Sequence, residues 1–141
     1  MSNEENQIAK GILFMGSMEC QENMGQIRRG DIIIADLGQH ETSIQSGIRP
    51  CVVMSNNMAN KHSPVITVVP LTSKIHKKEY LPTHVFLNGY RNTGLGCHSL
   101  ALCEQITSVA FSDILEVTGK VSERKLAEIS HAVGVQCGLV A

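Results

Sequence analysis

Arg49-Pro50 stands at the head of a short apolar run, Cys51-Val52-Val53-Met54, which Ser55 and Asn56-Asn57 close, and no other stretch restricts the fold as strongly. Pro50 fixes its own φ, has no N–H to give a ladder, and pushes the residue before it towards extended backbone. Arg49 is thereby set where a loop becomes a strand. Val52 and Val53 suit a pleated surface, and the asparagine pair suits a turn. A second run of the same kind, Val65 to Leu71, ends in Thr72-Ser73 at the mouth of a loop carrying Lys74, His76, Lys77 and Lys78. Two successive strands of this form bring Arg49 and Thr72 together.

The remaining chain reads as short strands and one helix. Ile32-Ile33-Ile34-Ala35-Asp36 is apolar on both faces and so central, after which the polar stretch 37 to 47 is long for a hairpin connection and marks a functional loop. Cys51 to Ser55 is the second strand, 56 to 64 a turn-rich connection, and Val65 to Leu71 the third strand. Further strands are expected at Thr83 to Leu87, Ser99 to Ile106 and Leu115 to Val121, the last interrupted by Gly119, with a glycine-rich loop at 88 to 96 and a short helical turn at Phe111-Ser112-Asp113. Ser122 caps a closing helix on which Leu126, Ile129, Val133 and Cys137 share one face. Short sequential strands of this kind form a meander or small barrel. Residues 1–27 hold no sustained period and read as an arm that is mobile or loosely docked; residues 28–141 read as one domain.

Composition narrows the chemistry. A net charge of −1 leaves any polyanion to be met by a local patch rather than by the whole surface. Five cysteines without a C-x-x-C pair fit neither a disulfide framework nor a zinc knuckle, and point to a reducing, cytoplasmic compartment. The six histidines are scattered, so no metal site and no cofactor is expected. Cys51 and Cys103 fall in apolar strands and Cys137 on the apolar helix face, where cysteine acts as a small hydrophobe rather than a nucleophile. No glycine-rich phosphate loop precedes a helix, and the early apolar run Ile12 to Met15 is too short for a membrane helix. The lysine-rich loop alone reads equally well as a solvated face.

Taken in order, Arg29-Gly30-Asp31 with Asp36, Ile48-Arg49-Pro50-Cys51-Val52-Val53-Met54-Ser55-Asn56, Asn60-Lys61 with Ser63-Pro64, Pro70-Leu71-Thr72-Ser73, Leu81-Pro82-Thr83-His84-Val85 and Leu102-Cys103-Glu104-Gln105-Ile106 resemble the MazF/PemK toxins of bacterial type II toxin-antitoxin systems. The resemblance implies an SH3-like β-barrel with a C-terminal helix, mainly β, that forms a homodimer. It implies a metal-independent, sequence-specific endoribonuclease that cuts single-stranded RNA by attack of the RNA's own 2′-hydroxyl. On that likeness Arg49 and Thr72 are the catalytic pair, and Ser43, Gln45, Ser73, Lys74, Lys77, Lys78, Leu81 and Gln105 contact RNA. A MazE-like antitoxin is the implied protein partner, with operator DNA bound only together with it.

The chain departs from the family pattern at Thr42-Ser43-Ile44-Gln45, where many relatives carry Gly-Ser-Glu-Gln, and at Thr107, where a basic residue is common. Two functions therefore stand side by side at this stage: an active ribonuclease toxin, or a catalytically weak relative that binds antitoxin, RNA or operator DNA as a regulator.

Overall fold

The computed structural model describes residues 26–75, 81–89 and 92–141. The arm expected over 1–27 lies outside them except at its end, where Ile27 is fully buried. Packing therefore starts at least one residue before the boundary drawn from sequence.

Asp31–Asp36 forms β1, with Ile32 and Ile33 buried on opposite faces as its doubly apolar pattern requires. It lies between Ile48–Val53 (β2) and Ile114–Lys120 (β7), antiparallel to both. Beyond β2 come Val65–Thr72 (β3), Ser99–Leu102 (β5) and the edge strand His84–Leu87 (β4), while Thr107–Ala110 (β6) also pairs with β3. The sheet has seven strands, and its ladder stays open between β4 and β7. The expected mainly β, small barrel-like fold with a C-terminal helix is what these pairings build.

One core fills each side of the sheet. Ile32, Val52, Val69, Leu71, Val85 and Ala101 pack beneath the C-terminal helix (α2, Glu123–Gln136) through its Ile129 and Ala132. Ile33, Cys51, Val53, Ile66, Val68 and Phe111 fill the other side. Full burial of one large aliphatic or aromatic side chain contributes roughly 1.5–3 kcal/mol, so the alternation along β1, β2 and β3 fixes the register. Ser122 accepts the Lys125 N–H at 3.2 Å, the N-cap expected from sequence.

Several expectations are revised. The second strand begins at Ile48, so Arg49 and Pro50 lie within it, opposite Ala35 and Ile34. Asn57–His62 is a helix (α1) rather than a turn-rich connection, because the Asn56 side chain accepts the Ala59 N–H at 2.8 Å as an N-cap. The strand expected over Ser99 to Ile106 stops at Leu102 and yields to a 3-10 turn, Cys103–Gln105, followed by the unforeseen β6. Gly119 lies inside β7 and, as expected, interrupts its ladder as a bulge, since Ile32 pairs with Gly119 and Ile33 with Val117; a Cβ at Gly119 would meet the Asn92 carbonyl at 2.2 Å, so the crossing loop demands glycine. Cys137 is exposed and ends α2 as its C-cap instead of joining the apolar face.

Pro70 explains where the strand breaks. The Thr67 carbonyl accepts the Met54 N–H, so by alternation residues 67, 69 and 71 address β2, while 68, 70 and 72 address the opposite edge. On that edge Leu71 pairs with Ala101 and Val68 with Thr107. Between these pairs the proline offers no donor, and the facing chain leaves the ladder as the 3-10 turn.

Candidate active site

Pro50 acts on the other side as Pro70 does. The β2–β3 ladder pairs Val53 with Val68, Val52 with Val69 and Cys51 with Pro70, and goes no further. At the next step Pro50 has no N–H to donate, so the strands part. Arg49 and Thr72 are the residues two steps beyond that last pair, one on each of the parting strands.

Arg49 is half-buried, and its Nε donates to the Ser46 carbonyl at 2.7 Å, which orients the guanidinium while leaving its terminal nitrogens for a ligand. Among the described residues the ion pairs are His84 with Glu104 and Arg124 and Lys125 with Glu128, so neither Asp36 nor Glu41 pairs with Arg49. Thr72 is 4% exposed, and its Oγ1 accepts the Lys74 N–H at 3.2 Å. Accepting through oxygen leaves the hydroxyl proton for a ligand oxygen. Below Arg49, burial pushes the Cys51 thiol up to about 12, with the guanidinium pulling the other way. A thiol held protonated is no nucleophile.

Two segments adjoin these residues in the chain, the loop 37 to 47 that leads to Arg49 and the stretch that follows Thr72. Gln105 clamps the first: its Nε2 donates to the Ser43 carbonyl at 3.0 Å and its Oε1 accepts the Gln45 N–H at 3.2 Å. Both ends of an amide expected to contact RNA are thus engaged by protein, and Ser43 and Gln45 meet it through their backbones. Ile44, at the position of the family carboxylate, is 55% exposed, so its replacement of that carboxylate follows from no packing demand. On the second, Ser73 and Lys74 are exposed and Leu81 is 48% exposed. Lys77 and Lys78 lie outside the described residues.

Sequence reasoning passed over Thr83, His84 and Glu104. Thr83 Oγ1 donates to Glu104 Oε1 at 2.8 Å, and His84 Nε2 meets Glu104 Oε2 at 3.0 Å. Pro82 was the available signal, since proline at the second position of a turn implies that the residues around it close on one another. Arg29-Gly30-Asp31, by contrast, is structural. The Arg29 guanidinium donates to the Met54 carbonyl and to Ser130 Oγ, joining β2 to α2. Among the described residues no group of three or more His, Cys, Asp or Glu is arranged to hold a metal ion. No helix among them is long and apolar enough to cross a membrane.

Residues 28–136 match the family described as PemK-like, MazF-like toxin of type II toxin-antitoxin system. The chain is 35% identical over 113 residues to Endoribonuclease MazF of Staphylococcus saprophyticus, covering 80% of this chain and 92% of that one. It is 36% identical over 113 residues to the Staphylococcus epidermidis protein of the same name, with equal coverage. Among solved structures, MazF from Deinococcus radiodurans superposes with a TM-score of 0.69 at 22% identity, covering 81% of this chain and 98% of that one. A mycobacterial endoribonuclease in complex with its cognate antitoxin superposes at 0.63 with 22% identity, covering 84% and 99%. With the family match spanning the whole described sheet and all of α2, the chain belongs to the PemK-like, MazF-like toxins of type II toxin-antitoxin systems.

Proposed function

We propose that Arg49 and Thr72 are the catalytic pair of this MazF-type endoribonuclease, and that it cuts single-stranded RNA at specific sequences without a metal ion. The observation that supports the reading is the open end of the β2–β3 ladder, two residues beyond which stand an arginine with no carboxylate partner among the described residues and a buried threonine. In the reaction the 2′-oxygen attacks the adjacent phosphorus and the bond to the 5′-oxygen breaks. A cyclic phosphate and a 5′-hydroxyl remain, the proton lost from the 2′-oxygen being balanced by one gained at the leaving oxygen. Negative charge builds on the non-bridging oxygens meanwhile, and a permanently charged fork of donors suits it. Arg49 serves as charge stabiliser or proton donor, since a group that hardly deprotonates is no general base. Thr72, stiff at χ1 and anchored at a strand end, orients the phosphate.

The exposed Ser73, Lys74 and Leu81 line the RNA path on one side, and the loop of Ser43 and Gln45 lines it on the other; the contacts expected of Lys77 and Lys78 rest on the sequence alone. Gln105 supports that loop. Cleavage should persist in a chelator and vanish when the ribose on the 5′ side of the cut is replaced by deoxyribose. Continued cutting of that substrate would refute the mechanism.

The partner is an antitoxin, a reading supported by the antitoxin complexes among the solved relatives. Its acidic or apolar segment occupies the groove that RNA would use, because donors placed for phosphate suit carboxylates too. Antitoxin and RNA should compete in a titration; simultaneous binding with undiminished affinity would sink the shared groove. The toxin acts as a homodimer in the cytoplasm and meets operator DNA only with antitoxin bound. A solution mass of one chain, 15.3 kDa, would refute the dimer.

A further inference from the structure

The 3-10 turn Cys103–Gln105, forced out of the ladder opposite Pro70, reaches both segments that adjoin the site. Gln105 holds the loop before Arg49 through Ser43 and Gln45. Glu104 turns the other way, taking Thr83 on one carboxylate oxygen and His84 on the other. The His84 side chain is 3% exposed, and its second nitrogen, Nδ1, accepts the Leu81 backbone N–H at 3.3 Å. An accepting Nδ1 leaves the ring proton on Nε2, aimed at Glu104. Leu81-Pro82-Thr83-His84 is itself a turn, closed by the His84 N–H on the Leu81 carbonyl at 2.9 Å, with Pro82 presetting the second position. Imidazole and carboxylate thus lock the turn that leads into β4.

We infer that Glu104 and His84 are positioning residues for RNA: through Thr83 they fix the turn that presents the exposed Leu81, while Gln105 on the same 3-10 turn fixes the loop before Arg49. One turn therefore sets the spacing between the two surfaces that grip the strand. Neither Glu104 nor His84 touches the reacting phosphate. The inference rests on the ribonuclease reading of this site and adds to it residues that act through others.

Walls that hold nucleotides beside the cut contribute to ground state and transition state alike, so their loss raises KM more than it lowers kcat. The test compares the parent with Glu104→Ala and Glu104→Gln, measuring thermal melting, steady-state cleavage, and amide hydrogen exchange at Leu81 without RNA. Glu104→Ala should speed Leu81 exchange and raise KM, each by at least about tenfold, with kcat within about threefold. In Glu104→Gln the carbonyl oxygen can take the His84 proton and the amide nitrogen can face Thr83, so both readouts should return to within about threefold of the parent. Tighter RNA binding by both variants would mean that Glu104 acts only as a repelling charge, and unchanged Leu81 exchange in a folded Glu104→Ala would mean that it holds nothing; either overturns the inference. If Glu104→Ala does not fold, His84→Gln replaces it: an N–H for Glu104 is kept, only the acceptor for Leu81 is lost, and an unchanged KM would be equally fatal. A parent that cuts no RNA would overturn the ribonuclease reading alone, and Leu81 exchange would still decide whether the brace exists.

Discussion

Cys51 and Pro70 are the last paired residues of the β2–β3 ladder, and the site opens immediately beyond them. Each strand carries one proline, and each proline withholds a donor from a different edge. Pro50 lets β2 and β3 part at Arg49 and Thr72. Pro70 forces the neighbouring chain out of register as the turn that carries Glu104 and Gln105. Two missing N–H groups thus make the opening and the support beside it.

Arg29 is predicted to matter for stability and not for cutting. Its guanidinium bridges the Met54 carbonyl and Ser130 Oγ, and its own N–H donates to Asn57 Oδ1 at 2.7 Å. Arg29→Ala keeps the backbone N–H for Asn57 but takes the guanidinium from the Met54 carbonyl and Ser130 Oγ in a half-buried setting, at a cost of about 2–3 kcal/mol. The melting midpoint should fall by roughly 5–10 °C, while the cleavage rate per folded molecule stays within about twofold of the parent, since no wall moves. An unchanged melt would assign Arg29 to the surface, and a large loss of rate in the folded variant would place it in the site.

The cysteines should divide by burial. Burial pushes the thiols of Cys51 and Cys103 from the ordinary 9.0 to about 12, against the pull of Arg49 on the first and with a further push from Glu104 on the second. Cys97 and Cys137 are exposed. Alkylation at pH 8, mapped by peptide mass, should reach the exposed pair and spare the buried pair until denaturant is added. The linkage has a definite sign: the unfolded thiols ionise first, so this contribution to stability is complete below about 9 and is lost as pH rises towards about 12. Each thiol contributes a slope of up to about 1.4 kcal/mol per pH unit in that window. Denaturant melts across it should be steeper in pH for the parent than for the double variant Cys51→Ala, Cys103→Ala; equal slopes would show that these thiols are not buried as described.

Much of this was legible because it is local. Ile32 to Asp36 declares a doubly buried strand, and Ser122 with the apolar spacing of Leu126 and Ile129 declares α2 and its cap. Asn56-Asn57 misleads because asparagine serves turns and helix N-caps through the same side-chain chemistry, and six residues are too few for α1 to show a period. Thr107 to Ala110 is only four residues long, too short to show a period, and becomes β6 by pairing with β3. The brace is written in partners 20 and 60 residues apart, Glu104 with His84 and Gln105 with Gln45, which no local window contains. Arg49 and Thr72 stand out in the sequence because a proline marks one strand and a hydroxyl pair ends the next.

The proposed roles of Arg49 and Thr72 make a quantitative prediction. A donor already aimed at the developing charge does not have to reorganise during the reaction, and losing one typically lowers the rate by about a hundredfold to a thousandfold, about 3–4 kcal/mol. Arg49 meets that description because Ser46 holds its Nε and Pro50 fixes the strand behind it. If it were a surface arginine of no catalytic consequence, its loss would cost at most about 1 kcal/mol of stability and leave the rate alone. Thr72→Ala removes a hydroxyl that also takes the Lys74 N–H, so the start of the basic loop should loosen as well. Thr72→Ser separates the two effects: it keeps the hydroxyl and gives up only the χ1 restraint, and should recover most of the rate. Single-turnover cleavage, measured on variants whose circular dichroism and melting match the parent, is the deciding experiment. Arg49→Ala and Thr72→Ala should each fall by at least about a hundredfold. If either folded variant cuts within about threefold of the parent, that residue is not catalytic, and the chain would then act chiefly by binding.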